Sequence, residues 1–199
     1  MKRIIFATSN EGKMDEIRAI LKDVNVELVS LKDLGLNPEI EENGTTFEEN
    51  AMIKAKIVME LTGEMVLADD SGIEVDYLDK APGVYSARFL GEKTSYNIKN
   101  QYIINQLSEA KEEERSARFV CAIACAFSNG EIVTRRGTIE GYISRQICGS
   151  HGFGYDPIFY VPEYQCTTAE MTAEQKNEIS HRGKALRAMK EVILKYIES

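Results

Sequence analysis

From Phe119 to Phe127 the chain is continuously apolar, and Ser128-Asn129-Gly130 separates this run from Glu131-Ile132-Val133-Thr134. A short apolar run closed by turn residues predicts a buried strand, and the Asn-Gly step predicts a hairpin into the next one. Thr138 to Ile143 reads as further strand, so the centre of a β-sheet is expected here. Nowhere does an apolar run reach the roughly 18 residues that would span a bilayer. A chain of 199 residues has room for one substantial core, and a single domain over residues 1–199 is expected.

A second apolar run, Met65 to Ala68, meets Asp69-Asp70-Ser71-Gly72 before the strand-like Ile73 to Leu78. Adjacent carboxylates repel each other and lose hydration when buried, unless a cation or hydrogen bonds compensate. The pair therefore marks either a divalent-metal site or a solvated turn.

Ile4 to Ala7 predicts a first buried strand, followed by Thr8-Ser9-Asn10-Glu11-Gly12-Lys13 and a helix with Ile17, Ile20 and Leu21 on one face. A helix N-terminus aims free N–H groups and a positive dipole end at such a loop, which suits a phosphate. The plain alternative is a polar connector with a helix cap. Val26 to Leu31 predicts another strand, and Glu39 to Gly44 is acidic. Thr46 with Glu49 forms a capping box that starts a helix. Ala51, Ala55 and Val58 give that helix a narrow face, while Phe47, Asn50 and Lys54 share a second one that lines a cleft or faces water.

Tyr96 to Leu107 predicts a helix, and Lys111 to Arg115 a solvated linker. Gly149 to Pro157 is glycine-rich and carries Phe153, Tyr155 and Asp156. Such a loop either brings backbone and a stacking ring to a ligand or folds its aromatics onto the core. Thr172 with Gln175 forms a second capping box, Ser180 to Lys184 interrupts, and a last helix follows with Leu186, Met189, Ile193 and Ile197 on one stripe. Lys176, His181, Arg182 and Lys184 form a basic cluster in a chain whose formal charge is -8. That overall charge argues against a nucleic-acid binder, which needs a basic face. Cys121, Cys125, Cys148 and Cys166 have no zinc-ligand spacing, and free thiols in a cytoplasmic protein are expected.

Six of these stretches, in order, resemble the inosine triphosphate pyrophosphatase family: Ala7 to Lys13, Thr46 to Ala55, Ala68 to Gly72, Ala81 to Phe89, Gly152 to Pro157 and Ile179 to Ala185. The resemblance implies an α/β fold, a long curved mixed sheet flanked by helices in two lobes around a cleft, and a homodimer. It implies Mg²⁺-dependent hydrolysis of ITP, dITP or XTP to the monophosphate and pyrophosphate, with no nucleic-acid or membrane partner. Residue by residue, Thr8, Ser9, Asn10, Glu11, Gly12 and Lys13 look like the triphosphate loop. Glu42 and Asp70 look like metal ligands, Glu41 being the alternative to Glu42, and Asp70 looks like the proton acceptor. Ser71 looks like a substrate contact. Phe153, Gly154, Tyr155 and Asp156 resemble the base-binding loop, with Phe153 stacking on the purine; Lys176, His181 and Arg182 look like further nucleotide contacts.

The residues fit such chemistry on physical grounds. A triphosphate needs cations, which Lys13, Lys54, Lys176 and Arg182 supply. Hard carboxylate oxygens suit Mg²⁺ rather than zinc. A 6-keto purine needs a donor to O6, for which Arg182, His181 and backbone N–H groups are candidates. It also needs an acceptor for N1–H, for which Asp156 is a candidate unless it caps a turn.

Overall fold

The computed structural model describes residues 2–198. Seven strands pair in the order β2-β1-β3-β4-β5-β6-β7: β1 (Lys2–Phe6), β2 (Val26–Ser30), β3 (Met65–Val75), β4 (Ser116–Ala126), β5 (Ile132–Ile143), β6 (Phe159–Val161) and β7 (Cys166–Thr167). The sheet is mixed, as expected. β1 runs parallel to β2 and β3, whereas β5, β6 and β7 pair antiparallel. Five α-helices accompany it: α1 (Glu11–Leu21), α2 (Phe47–Thr62), α3 (Tyr96–Gln106), α4 (Ala173–Ile179) and α5 (His181–Glu198). Among the described residues, no helix is long and apolar enough to cross a membrane.

The chain packs as two compact units. The first comprises Met1–Asp70, Cys121–Gly137 and His181–Ser199; the second comprises Ser71–Val120 and Thr138–Ser180. The first unit's core joins Ile4 and Phe6 of β1, Met14 and Ile17 of α1, Met65 and Leu67 of β3, Cys121, Ile123 and Cys125 of β4 with Phe127 just after it, and the α5 stripe Leu186, Met189 and Ile193. The second unit's core joins Ile73 and Val75 of β3, Ile103, Ile104 and Leu107 of α3, Phe119, Ile143, Ile158 and Phe159. Burial of Cys121 and Cys125 pushes their thiols up to about 12, so these free cysteines act as small apolar side chains.

Local sequence signals set many of the element ends. Thr46 and Glu49 exchange both bonds of the capping box, Thr172 and Gln175 do the same for α4, and Gly63 closes α2 in the left-handed region at φ 70°. The hairpin between β4 and β5 forms as predicted, with Gly130 N donating to Phe127 O at 2.9 Å. β5 runs unbroken through both stretches read as strand, Ile132 to Thr134 and Thr138 to Ile143.

Three boundaries differ from expectation. β3 does not stop at the aspartates but continues through them to Val75. α5 begins at His181, so His181 and Arg182 belong to a first helical turn rather than to an interruption. Lys111 to Arg115 is not wholly a solvated linker, because Arg115 is buried. Its guanidinium donates to the carbonyls of Ile143 (2.8 Å), Leu107 (2.6 Å) and Ser144 (2.9 Å), tying α3 to the end of β5. A charge buried against three carbonyls is satisfied as a donor, and its methylene stem adds packing.

Replacing Arg115 with Ala is expected to lower unfolding free energy by about 3 kcal/mol, since three hydrogen bonds to carbonyls are lost together with the packing of its stem. Chemical denaturation measures this, with Glu113→Ala, an exposed neighbour, as a control expected to stay within about 0.5 kcal/mol.

Candidate active site

Because β3 runs on through Asp69 and Asp70, the two side chains point to opposite faces of the strand. Each therefore meets its own set of cations. Asp69, only 1% exposed, accepts from Lys13 Nζ at 2.9 Å through Oδ1, and from Arg182 Nε and Nη2 at 3.3 and 3.2 Å through Oδ2. Lys13 sits in the first turn of α1 and Arg182 in the first turn of α5. Arg182 also holds Glu16 of α1. Glu16 was not among the residues expected at the site; nothing local marks it, because its partner lies at the far end of the chain.

Asp70, 8% exposed, faces α2. Asn50 donates to its Oδ2 at 3.0 Å, and Lys54 Nζ lies 3.9 Å from its Oδ1. The same ammonium pairs with Glu42 at 3.1 Å. The polar face formed by Asn50 and Lys54 thus lines the site and is not a solvated surface. Asn50 is fully buried and also accepts from Gly44 N at 2.8 Å, which fixes the turn carrying Glu42. A side chain on Gly44 would lie 2.7 Å from Asn50 Oδ1, so this close approach requires glycine. Glu42 reaches the group; Glu41 is exposed.

The two aspartates are pushed in opposite directions. Burial raises the Asp69 carboxyl, but Lys13 and Arg182 outweigh it and hold the group well below the usual carboxylate range. For Asp70 burial wins: the carboxyl is raised, although Lys54 and Asn50 oppose the shift and Glu42 and Asp69 add to it. Asp69 is thereby a permanent counter-charge, and Asp70 a carboxylate poised to accept a proton.

The loop from β1 to α1 is built for exposure at its tip. Asn10 caps α1 by accepting from Lys13 N at 3.1 Å, and Thr8 Oγ1 accepts from Asn10 N at 3.1 Å. Ser9, Asn10 and Glu11 are exposed, and Gly12 and Lys13 half-buried. Both readings of this stretch hold at once: the helix is capped, and its first-turn lysine reaches the buried Asp69. Ser71 follows Asp70 on β3 and is half-buried. His181 opens α5, and β5 passes so close that a Cβ on Gly137 would lie 2.2 Å from the His181 carbonyl oxygen.

In the second unit the glycine-rich loop is organised by Asp156, which is buried. Its Oδ1 accepts from Thr168 Oγ1 at 2.8 Å; its Oδ2 accepts from Phe153 N at 2.8 Å and from Lys176 Nζ at 2.7 Å. Both oxygens are engaged within the unit, so the turn-cap reading describes this side chain. Gly152 has φ +73°, and a Cβ there would strike Asp156 Oδ2 at 2.2 Å. Tyr155 turns into the core, with its hydroxyl donating to Ser86 O at 2.7 Å, whereas Phe153 stays 37% exposed with Lys176 Nζ 4.8 Å from its ring centroid. One aromatic folds back and the other is presented.

No group of three or more His, Cys, Asp or Glu suited to a metal occurs among the described residues. Glu42 and Asp70 nevertheless share one cation, the Lys54 ammonium. Two carboxylates completed by water and substrate oxygen are the usual protein share of a Mg²⁺ site.

A profile of the Ham1 family matches residues 4–192. The chain belongs to the Ham1 family. A dITP/XTP pyrophosphatase of Bacillus licheniformis is 47% identical over 189 residues, covering 95% of this chain and 96% of the relative. One from Desulforamulus reducens is 48% identical over 191 residues, covering 96% and 95%. The structure of a HAM1 protein from Coxiella burnetii superposes with a TM-score of 0.89 at 40% identity, covering 98% of this chain and all of the other. The family resemblance carried by the six sequence stretches is therefore met over nearly the whole length of this Ham1-family chain.

The low-lying Asp69 carboxyl makes acid stability a test of the buried ion network. Its ordinary value is 3.8 and its folded value lies lower, so the stability it contributes is complete above about pH 4 and is lost as the pH falls toward the folded value. Urea unfolding between pH 2.5 and 6 is expected to show this slope, and Asp69→Asn is expected to flatten it.

Proposed function

We propose that this chain is a dITP/XTP pyrophosphatase, hydrolysing non-standard purine nucleoside triphosphates, ITP included, between the α and β phosphates to the monophosphate and pyrophosphate. The names of its full-length relatives at 47% and 48% identity support the reaction class. The observation that carries the reading onto these residues is the pairing of a raised, Asn50-held Asp70 with Glu42 across Lys54, backed by an Asp69 that stays ionised.

In this reading Glu42 and Asp70 hold Mg²⁺, which supplies charge neutralisation at the phosphates when bound. The chain's own groups do the rest. The loop Thr8 to Lys13 receives the triphosphate with exposed polar groups and the N-terminal dipole of α1. Lys13 and Arg182, fixed by Asp69, bring positive charge at no further ordering cost, and Lys54 adds a third cation. Asp70 takes the proton of the attacking water.

The second unit supplies base recognition. Phe153 offers a ring for stacking, and the loop held by Asp156 offers backbone N–H groups to a 6-keto oxygen. A site whose donors await a keto oxygen leaves them unpaired against the 6-amino group of adenine, and such mismatches reject by about 10⁴-fold. Lys176 and His181 are assigned as further nucleotide contacts. We place the enzyme in the cytoplasm, where its free thiols stay reduced, and assign it a homodimeric state. Tyr77, Tyr85, Leu90 and Ile98 are exposed large apolar side chains in the second unit, which suits an interface there.

With Mg²⁺ present, ITP is expected to yield IMP and pyrophosphate far faster than ATP yields AMP. Release of orthophosphate and a diphosphate would exclude the reaction. Asp70→Asn is expected to lower kcat by about 10²- to 10⁴-fold while circular dichroism stays unchanged.

A further inference from the structure

The glycine-rich loop is held from two sides. Asp156 fixes one flank through Phe153 N. The other is held by α3, an element outside all six family-like stretches. Asn100 Nδ2 donates to the Gly154 carbonyl at 3.1 Å. The Tyr96 ring lies behind the same glycine, where a Cβ would sit 3.7 Å from Cε1, and meets Tyr155 edge-on at 5.2 Å between centroids. Gly154 itself has φ +69°, a left-handed conformation open to glycine at little cost.

Asn100 is a poor residue to bury for stability alone. It is 2% exposed, yet its Oδ1 has no hydrogen-bond partner among the described residues. Buried acceptors are almost always paired, and an exception needs a reason. The amide orientation is set, because reversing it would turn Oδ1 onto the Gly154 carbonyl oxygen. What the side chain accomplishes in exchange for its unpaired oxygen is to fix one carbonyl, immediately after Phe153.

The neighbouring residue is similar in kind. Lys99 is 1% exposed, donates to Ala87 O at 2.6 Å and lies 4.8 Å from the Tyr96 ring centroid. Ala87 adjoins Ser86, whose carbonyl receives the Tyr155 hydroxyl. Ser86 in turn accepts from Ile73 N through Oγ at 2.9 Å. So α3 grips the loop directly through Asn100, and it grips the segment behind the loop through Lys99.

We propose that Asn100 is a positioning residue for base recognition: by holding the Gly154 carbonyl it sets where Phe153 and the loop backbone meet the nucleobase. The assignment rests on the reading of residues 153–156 as the base site. It makes Asn100 act on the base and not on the phosphates, which distinguishes it from a residue that merely keeps the unit folded.

The test uses the full-length enzyme with Mg²⁺ and compares the parent with Asn100→Ala and Asn100→Leu. The leucine is nearly isosteric and has no donor for Gly154. Both variants are expected to raise KM for ITP about tenfold, the equivalent of one useful hydrogen bond, with kcat within about twofold and a reduced preference for ITP over ATP. That split marks lost binding rather than lost chemistry. The inhibition constant of inorganic tripolyphosphate, which carries no base, is expected to stay unchanged in both. Unaltered KM and ITP preference in both variants would overturn the assignment. So would tripolyphosphate affinity and kcat falling in step with ITP binding, the pattern of general disruption. A parent enzyme that hydrolyses ATP as readily as ITP would overturn the reading beneath the assignment, and the assignment with it.

Discussion

Two adjacent buried carboxylates are tolerable in this chain because they sit within a strand. The period of two in β3 sends Asp69 and Asp70 to opposite faces, and each face is covered by a different helix pair or helix. Asp69 lies against cations from α1 and α5, while Asp70 lies against an amide and an ammonium from α2. A turn at this position would let both side chains reach water and would leave Lys13 and Arg182 without a common anchor. The strand thus converts a repulsive dipeptide into two separate electrostatic environments, one lowering a carboxyl and the other raising its neighbour. A carboxyl held low and a carboxyl pushed up come from the same dipeptide because the strand turns each toward different partners.

This also explains which features the residues announced beforehand. Capping boxes at Thr46 and Thr172 and the Asn-Gly hairpin are local devices, satisfied by neighbours a few residues away, so sequence patterns expose them. The continuation of β3 is not local. Its aspartates are stabilised by Lys13 and Arg182, 56 and 113 positions away in sequence, and without those partners a charged pair reads as the end of a strand. Arg115 misled for the same reason, since its carbonyl partners at the end of β5 and just past it, Ile143 and Ser144, lie 28 and 29 positions away. The family resemblance pointed to Asp70, rather than Asp69, with Glu42 and Lys13, but it did not give Asp69 its partners or bring in Glu16. Those follow from which face each side chain occupies.

The glycine-rich loop shows how such separation works at finer scale. Phe153, Tyr155 and Asp156 are near neighbours in sequence and differ in fate: Asp156 is spent inside the loop, Tyr155 is core, and Phe153 is presented. Gly152 permits this because no larger residue fits against Asp156. A carboxylate already engaged by Thr168, Phe153 N and Lys176 gives the loop a fixed shape before any ligand arrives. Preorganisation of this kind favours discrimination, because a rigid set of donors is costly to leave unpaired.

The two units use buried cations differently. In the first, Lys13, Lys54 and Arg182 all terminate on carboxylates, so each cation stays part of a charged network whose balance a polyanion would alter. In the second, Arg115 and Lys99 terminate on backbone carbonyls, which carry no net charge and do not titrate. Those contacts fix main-chain segments. Other cations of the second unit do pair with carboxylates, among them Arg118 with Asp76 and Glu140, and Lys176 with Asp156 beside the exposed Phe153 ring. The first unit thus ties its cations into a charged network, whereas the second uses Arg115 and Lys99 to brace its own main chain.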